Sequence, residues 1–110
     1  EVSKLFLNCG IITINSFVSP TEAIRDLAKE IIGEDDFLEV YISTSLEECE
    51  KRDVKGLYKK ARKGEIPNFT GISAPFEAPK NPALIIETEK NTIKQSGELL
   101  YRFVLDKIRY

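Results

Sequence analysis

Strand-like stretches alternate along this chain with stretches of helical periodicity. The β-branched run at residues 11–17 predicts a strand buried on both faces, and residues 37–43 and 83–88 predict two further strands. Elsewhere apolar residues recur at three- and four-residue spacing, which predicts helices. This alternation predicts an α/β fold with a parallel sheet, here three strands with flanking helices.

Local signals predict where the helices begin and end. Residues 19–22 have the capping-box sequence SPTE, which makes Ser19 the predicted N-cap of a helix that ends at Gly33. The sequence SLEE predicts a second N-cap at Ser45, and the last helix is predicted from about Thr92. Residues 64–82 are rich in glycine and proline and lack periodicity, and a long ordered loop of this kind is usually functional or mobile.

The basic residues are concentrated in one part of the chain. The whole chain has a formal net charge of −2, yet the segment from Glu50 to Glu65 contains seven cations and three anions, a charge of +4. A positive segment on an acidic protein indicates a surface that binds a small anion such as phosphate or sulfate. The alternative is a lysine-rich helix that is simply solvated. A nucleic-acid partner is not expected, because the overall charge is acidic.

Cysteine and histidine usage limits the chemistry available to the chain. Two cysteines, Cys9 and Cys49, form no disulfide framework, which favours a cytoplasmic protein, and both are expected to pack as small apolar residues. The chain has no histidine, so we expect no metal site and no histidine general base. No apolar run is long enough for a spanning helix, and no membrane partner is expected.

Several motifs resemble one enzyme family in the same order. The sequence RDVKGLYKKARKGEIPNFTGI at residues 52–72 closely resembles the lid of adenylylsulfate kinase. The sequence SFVSP at residues 16–20 resembles the family's SFISP element, and residues 37–46 resemble its FxEVxxxxxL strand. Pro75-Phe76-Glu77 and Asn81-Pro82 resemble two of its turns.

The resemblance implies a fold and an activity. The family has a parallel-sheet phosphate-loop kinase fold of the P-loop NTP hydrolase type, and it phosphorylates the 3′-hydroxyl of adenosine 5′-phosphosulfate with ATP to give PAPS in sulfate assimilation. The family's G-x-x-x-x-G-K-[ST] phosphate loop is not among these residues. Residues 1–110 are therefore expected to be the C-terminal portion of a single kinase domain, an incomplete fold with a lid at about residues 50–82.

Cofactors and partners follow from the same resemblance. ATP and Mg²⁺ are the implied cofactors, bound mainly by the N-terminal part, and adenosine 5′-phosphosulfate is the implied substrate. The fragment alone is expected to be inactive. A sheet without its central strand is expected to pair with another copy or exchange strands, and sulfate adenylyltransferase is a possible neighbour in the same polypeptide. The alternative function is a non-catalytic nucleotide-binding or regulatory module.

Site residues are carried over from the family motifs. Ser19 is the catalytic candidate, for which we prefer a positioning role because no activating base lies near it in sequence. The implied substrate-binding residues are Val18, Ser19, Lys55, Asn68, Phe69 and Thr70. The implied ATP and lid residues are Arg52, Lys60, Arg62, Asn91 and Ser96.

Simpler structural roles compete with the assignment of Phe69 and are expected for several charged residues. Phe69 is implied to stack on the adenine of adenylylsulfate, although an aromatic in such a loop is often a minor core residue. Lys59 and Lys63 are expected to be solvated. Arg25 is expected to form a surface ion pair with the adjacent Asp26.

Overall fold

The computed structural model describes residues 1–109, which form an α/β fold. Five helices and two strands are present in this part of the chain. In chain order they are α1 (Val2–Asn8), α2 (Glu22–Ile32), β1 (Val40–Ser43), α3 (Leu46–Arg52), α4 (Leu57–Arg62), β2 (Leu84–Glu87) and α5 (Ile93–Ile108). A short 3₁₀ turn, Glu34–Asp36, follows α2.

The two strands pair in parallel. Val40 lies opposite Leu84, and the register continues to Ser43 opposite Glu87. The ladder is extended at both ends, because the Ala83 amide donates to the Glu39 carbonyl at 2.8 Å and the Thr88 amide donates to the Ser43 carbonyl at 3.0 Å. The predicted α/β class with parallel strands is confirmed.

The predicted strand at residues 11–17 is wrong for this structure. The segment has no strand beside it and is assigned no regular secondary structure. A strand needs a ladder partner for its amides and carbonyls, and the sheet among residues 1–109 consists of β1 and β2 alone. The apolar pattern therefore identifies a strand-forming sequence without supplying its partner, and two of the three predicted strands form.

The chain divides into two compact units. The first unit comprises Glu1–Phe37 and Phe76–Ala78, and the second comprises Leu38–Pro75 and the described residues from Pro79 on. In the first unit α1 contacts α2, and the Lys4 ammonium donates to the Ile32 carbonyl at the end of α2. In the second unit α5 packs against β2, and Ile86 of β2 is only 2% exposed.

Side-chain caps fix the starts of three helices. The predicted Ser19 cap is wrong, because Thr21 is the N-cap of α2 and its hydroxyl accepts from the Ile24 amide at 3.4 Å. The cap at Ser45 is confirmed, and Thr92 begins α5 with a complete capping box. The helix therefore starts two residues later than the sequence pattern predicts.

Large apolar side chains of the first unit are exposed. Ile14 and Phe17 are each 81% exposed, and apolar residues of α1 and α2 are also largely accessible. Cys9 is exposed as well, so its predicted packing as a small apolar residue is wrong, whereas Cys49 is half-buried. Contiguous patches of exposed apolar side chains are typical of interaction surfaces. No helix among residues 1–109 combines the length and apolarity that crossing a membrane requires.

The start of α3 is tied to the loop after β2 by one carboxylate. Glu89 accepts from the Ser45 amide, and hydrogen bonds from the Ser45 side chain and backbone lower the pKa of Glu89 below its ordinary value. The ionised carboxylate is therefore bound more favourably in the folded state than the protonated form.

Glu89→Gln tests this contact through pH dependence. A lowered folded-state pKa contributes stability that is fully present above the ordinary value of 4.5 and is lost as the pH falls through the lowered pKa. We expect the wild type to exceed Glu89→Gln in free energy of unfolding at neutral pH, with the difference vanishing in acid. Urea unfolding at a series of pH values measures it, with exposed Glu65→Gln as the control. A difference that stays constant down to pH 3 would contradict the prediction.

Candidate functional site

The carboxyl ends of both strands form a polar edge in the second unit. The hydroxyls of Thr44 and Thr88, each just after a strand, hydrogen bond to each other. Arg52, at the end of α3, donates to the Thr88 carbonyl at 3.0 Å and to the Thr88 hydroxyl at 3.2 Å. Its Nε donates to Glu48 at 2.8 Å. Ligands of parallel α/β sheets bind at this edge of the sheet.

Asn91 lies at the same end of β2. Its side-chain amide donates to the Glu87 carbonyl at 2.9 Å. Arg52 and Asn91, two of the predicted ATP-site residues, therefore hydrogen bond to consecutive residues at the end of β2. These residues are Thr88 and Glu87. Ser96, on the first turn of α5, has a buried hydroxyl oxygen without a hydrogen-bond partner among residues 1–109. The structure thus brings Arg52 and Asn91 together.

A carboxylate organises the turn between α3 and α4. The Asp53 side chain accepts from the Tyr58 amide and from the Lys59 amide, each at 3.0 Å. Gly56, the formal N-cap, has a left-handed φ of 66° and no side chain with which to cap the helix. Asp53 therefore caps α4 from three residues before Gly56. Lys55 lies in this turn and is exposed.

The cations of the lid differ in their bonding. Arg62 is paired with Glu50, its Nε lying 2.8 Å from the carboxylate. The ammonium groups of four lysines form no hydrogen bond or ion pair with residues 1–109. These are Lys55, Lys59, Lys60 and Lys63. Within the lid, the cations that form no ion pair with residues 1–109 are thus lysines, while Arg52 and Arg62 are paired with glutamates.

A tight turn presents Phe69. Asn68 has a left-handed φ of 54°, and the Phe69 amide donates to the Ser73 hydroxyl at 2.8 Å. The Phe69 carbonyl accepts from the amides of Ile72, Ser73 and Ala74 at 2.9–3.1 Å. Thr70 forms an isolated bridge with Ala74. Asn68, Phe69 and Thr70 are consecutive members of one hydrogen-bonded loop.

Tyr58 of α4 contacts Phe69. The ring centroids are 5.0 Å apart and the planes meet at 74°, an edge-to-face arrangement. Both side chains are half-buried. Burial raises the pKa of the Tyr58 phenol, and a hydrogen bond with Cys49 and the nearby carboxylates of Asp53 and Glu50 add to the effect. The phenol is therefore neutral at physiological pH.

Ser19 has an unusual backbone in the first unit. Its φ is 40°, a left-handed value that is uncommon for a residue with a side chain. The Arg25 guanidinium donates to the Ser19 carbonyl at 2.7 Å and to the Glu77 carbonyl at 2.8 Å. Arg25 thus bonds to two backbone carbonyls of this turn, which the predicted ion pair with Asp26 did not include. Backbone strain of this kind clusters at functional sites.

Neighbouring bonds fix the same turn. The Glu77 amide donates to the Pro20 carbonyl at 2.8 Å, and the Glu77 carboxylate accepts from the Glu22 amide at 2.7 Å. Val18 is 65% exposed beside this turn. Val18 and Ser19 are therefore presented at the start of α2 by Arg25 and Glu77.

Sequence reasoning missed the acidic residues of the second unit. Asp53 caps α4, Glu50 pairs with Arg62, and Glu48 pairs with Arg52. The Glu48–Arg52 pair follows the i,i+4 rule and is open to prediction. Glu50 and Arg62 are 12 residues apart across a turn, where no periodic rule applies. Within residues 1–109 no group of three or more acidic, cysteine or histidine side chains is arranged to hold a metal ion.

Sequence comparison identifies relatives of this chain. A family model described as adenylylsulphate kinase matches residues 1–87. The adenylyl-sulfate kinase of Bacteroides thetaiotaomicron is 66% identical over 108 residues, which cover 98% of this chain and 54% of that protein. The probable adenylyl-sulfate kinase of Halalkalibacterium halodurans is 52% identical over 110 residues, which cover 100% of this chain and 53% of that protein. The chain spans about half the length of the curated relatives it matches.

Structural comparison agrees. The structure of the Mycobacterium tuberculosis APS kinase CysC in complex with AMPPNP and APS matches with a TM-score of 0.83 at 39% identity. The match covers 94% of this chain and 61% of that chain. Since the family model matches residues 1–87 of the 110, this chain belongs to the adenylylsulphate kinase family.

Proposed function

We propose that this chain is the C-terminal portion of an ATP-dependent adenylylsulfate kinase. The full polypeptide transfers the γ-phosphoryl group of ATP to the 3′-hydroxyl of adenosine 5′-phosphosulfate, giving PAPS for sulfate assimilation in the cytoplasm. The observation that carries the proposal is that α4 and its flanking turns bring two features together. These are the half-buried ring of Phe69, which contacts Tyr58 of α4, and lysines that form no ion pair with residues 1–109. An aromatic ring beside cations suits a nucleotide that carries anionic groups.

Phe69 and its neighbours are proposed to bind the substrate base. Phe69 is held by its backbone, and an edge-to-face contact with Tyr58 uses at most one of its two faces. At least one face of the ring is therefore not occupied by Tyr58. Asn68 and Thr70 border it, and stacking on an aromatic contributes about 1–3 kcal/mol per base. Lys55 is proposed to meet the anionic phosphosulfate.

The lid cations are proposed to approach the phosphates of ATP. The Lys60 ammonium forms no ion pair with residues 1–109, whereas Arg62 has to exchange the Glu50 carboxylate for a phosphate oxygen. Closure of such a segment excludes water and brings positive charge to the phosphoryl oxygens. Arg52, Asn91 and Ser96 are proposed to border the ATP nucleotide at the strand ends.

Ser19 is proposed to position the substrate rather than to accept the phosphoryl group. Its carbonyl is held by Arg25, and its hydroxyl forms no hydrogen bond with residues 1–109, so no base activates it there. In-line phosphoryl transfer depends on positioning and charge stabilisation and needs no covalent protein intermediate. Val18 is proposed to lie against the same substrate.

Magnesium binding is proposed to belong to the rest of the polypeptide. No suitable cluster of acidic side chains is present among residues 1–109. The exposed apolar residues of the first unit, including Ile14 and Phe17, are proposed to be covered by that part or by a second copy through paired or exchanged strands. A fused sulfate adenylyltransferase is compatible with this arrangement.

A coupled assay of ADP formation tests the proposed function. The full polypeptide should turn over ATP only when adenosine 5′-phosphosulfate is present, and adenosine 5′-monophosphate should not replace it. Residues 1–110 alone should be inactive, because they contain no phosphate loop for the triphosphate. If the full polypeptide binds both nucleotides without turnover, a regulatory nucleotide-binding module becomes the better account.

Phe69→Ala tests the stacking role. Loss of a stacked aromatic should raise the KM for adenosine 5′-phosphosulfate about tenfold or more, since stacking contributes about 1–3 kcal/mol. The KM for ATP should change little, and Phe69→Trp should retain most of the affinity. Steady-state kinetics of the full polypeptide measures both constants. Equal increases in the two KM values would contradict the assignment.

A charge exchange separates the two roles of Arg62. In the structure Arg62 pairs with Glu50, and such exposed pairs contribute about 0–1 kcal/mol to stability. The double variant Glu50→Arg with Arg62→Glu should restore the stability that Arg62→Glu loses, as measured by urea unfolding. The KM for ATP should nevertheless remain raised about tenfold, because a carboxylate replaces the phosphate-binding cation. Recovery of the KM together with stability would show a structural role alone.

A further inference from the structure

We propose that Tyr58 is a positioning residue for the nucleotide base, acting through Phe69, and that Asp53 fixes Tyr58. The inference rests on the proposed function, in which Phe69 stacks on the base of adenosine 5′-phosphosulfate. Neither Tyr58 nor Asp53 is proposed to contact the substrate or ATP. The contacts that carry it lie within the second unit.

The chain of contacts begins with a carboxylate. The two oxygens of Asp53 accept separately from the Tyr58 and Lys59 amides, each at 3.0 Å. Because Gly56 supplies no side-chain cap, these bonds set the position and direction of the first turn of α4. Charge-assisted bonds of a carboxylate to backbone amides are among the stronger hydrogen bonds of proteins. The backbone at Tyr58 is therefore fixed, and so is the direction in which its side chain leaves α4.

Tyr58 then fixes the ring of Phe69. The Phe69 backbone is held by the Ser73 hydroxyl and by three amides on its carbonyl, which leaves rotation about the side-chain bonds as its freedom. The edge-to-face contact with Tyr58, at 5.0 Å between centroids, restricts that rotation. A preset ring avoids the entropy cost of ordering it when the base binds.

The surroundings of Tyr58 support a positioning role over simple core packing. Its side chain is half-buried, and Cys49, Asp53 and Glu50 lie near its phenol. Ala61 is the one residue of α4 that is buried, so the helix has no larger apolar anchor of its own. The Asp53 carboxylate therefore fixes the backbone from which the Tyr58 side chain extends.

Steady-state kinetics of the full polypeptide tests the positioning. Tyr58→Leu should raise the KM for adenosine 5′-phosphosulfate about three- to tenfold, in line with the free energy of an aromatic pair, with kcat and the KM for ATP nearly unchanged. Tyr58→Phe keeps the ring and should restore most of the affinity. Tyr101→Leu removes an exposed tyrosine of α5, which is 62% accessible, and is the matched control.

Non-additivity distinguishes positioning from general destabilisation. In a Phe69→Leu background, Tyr58→Leu should raise the KM no further, because the ring that it positions is already gone. Asp53→Asn leaves one acceptor for two amides and should give a smaller increase in the same KM than Tyr58→Leu does. Independent, multiplying effects of Tyr58 and Phe69 would overturn the proposal.

A fluorescence readout keeps this test separate from the proposed function. The chain has no tryptophan, so Phe69→Trp introduces a fluorescent reporter at this position. Its quenching by acrylamide is measured, with the Phe69 form as the background. Adding Tyr58→Leu to Phe69→Trp should increase quenching and lower the anisotropy, and adding Tyr101→Leu should change neither. Unchanged fluorescence with Tyr58→Leu overturns the positioning role, even in an active kinase. Absence of kinase activity with the expected fluorescence change overturns the proposed function alone.

Discussion

The parallel pairing of β1 with β2 is the constraint on which the second unit depends. It brings Ser43 and Glu87 side by side, and the residues that follow each strand therefore meet at one edge. The hydroxyls of Thr44 and Thr88 join there, and Arg52 and Asn91 bond to the last carbonyls of β2 and the residue after it. Because α3 and α5 both start from this edge, the same pairing that forms the sheet also places the polar groups proposed to border ATP.

Acidic side chains determine how much of the lid's positive charge is available. The segment from Glu50 to Glu65 carries +4, but Glu48 and Glu50 already hold Arg52 and Arg62. The lid cations that form no ion pair or hydrogen bond with residues 1–109 are lysines. An anionic ligand would thus meet the lysines directly, whereas each arginine has first to leave a carboxylate. Net charge identifies the segment, and the individual pairs indicate how it can respond to a ligand.

Local signals predicted much of this fold, and long-range ones were beyond the sequence. Thr92 and Ser45 begin helices because a cap needs only residues three positions away. The predicted cap at Ser19 is wrong because the pattern SPTE contains two residues that can cap a helix. Ser19 has a left-handed backbone, and Thr21 is the N-cap. Residues 11–17 have the composition of a strand, but pairing depends on a neighbour that local sequence does not specify.

The candidate site follows the same division. Phe69, Lys55 and Lys60 could be named as candidates from motifs, because the family resemblance covers their positions in order. Glu50 could not be matched to Arg62, and Tyr58 could not be matched to Phe69, since both pairs form across turns whose geometry the sequence leaves open. Tyr58 lies within the lid motif, and its contact with Phe69 is visible only in the structure.

A crystal structure of the full polypeptide with adenosine 5′-phosphosulfate tests the central claim most directly. The account predicts that the adenine stacks on a face of Phe69 that Tyr58 does not occupy, while Tyr58 keeps its edge-to-face contact and Asp53 keeps both amide hydrogen bonds. An adenine bound elsewhere, with Phe69 turned away from it, would contradict the account.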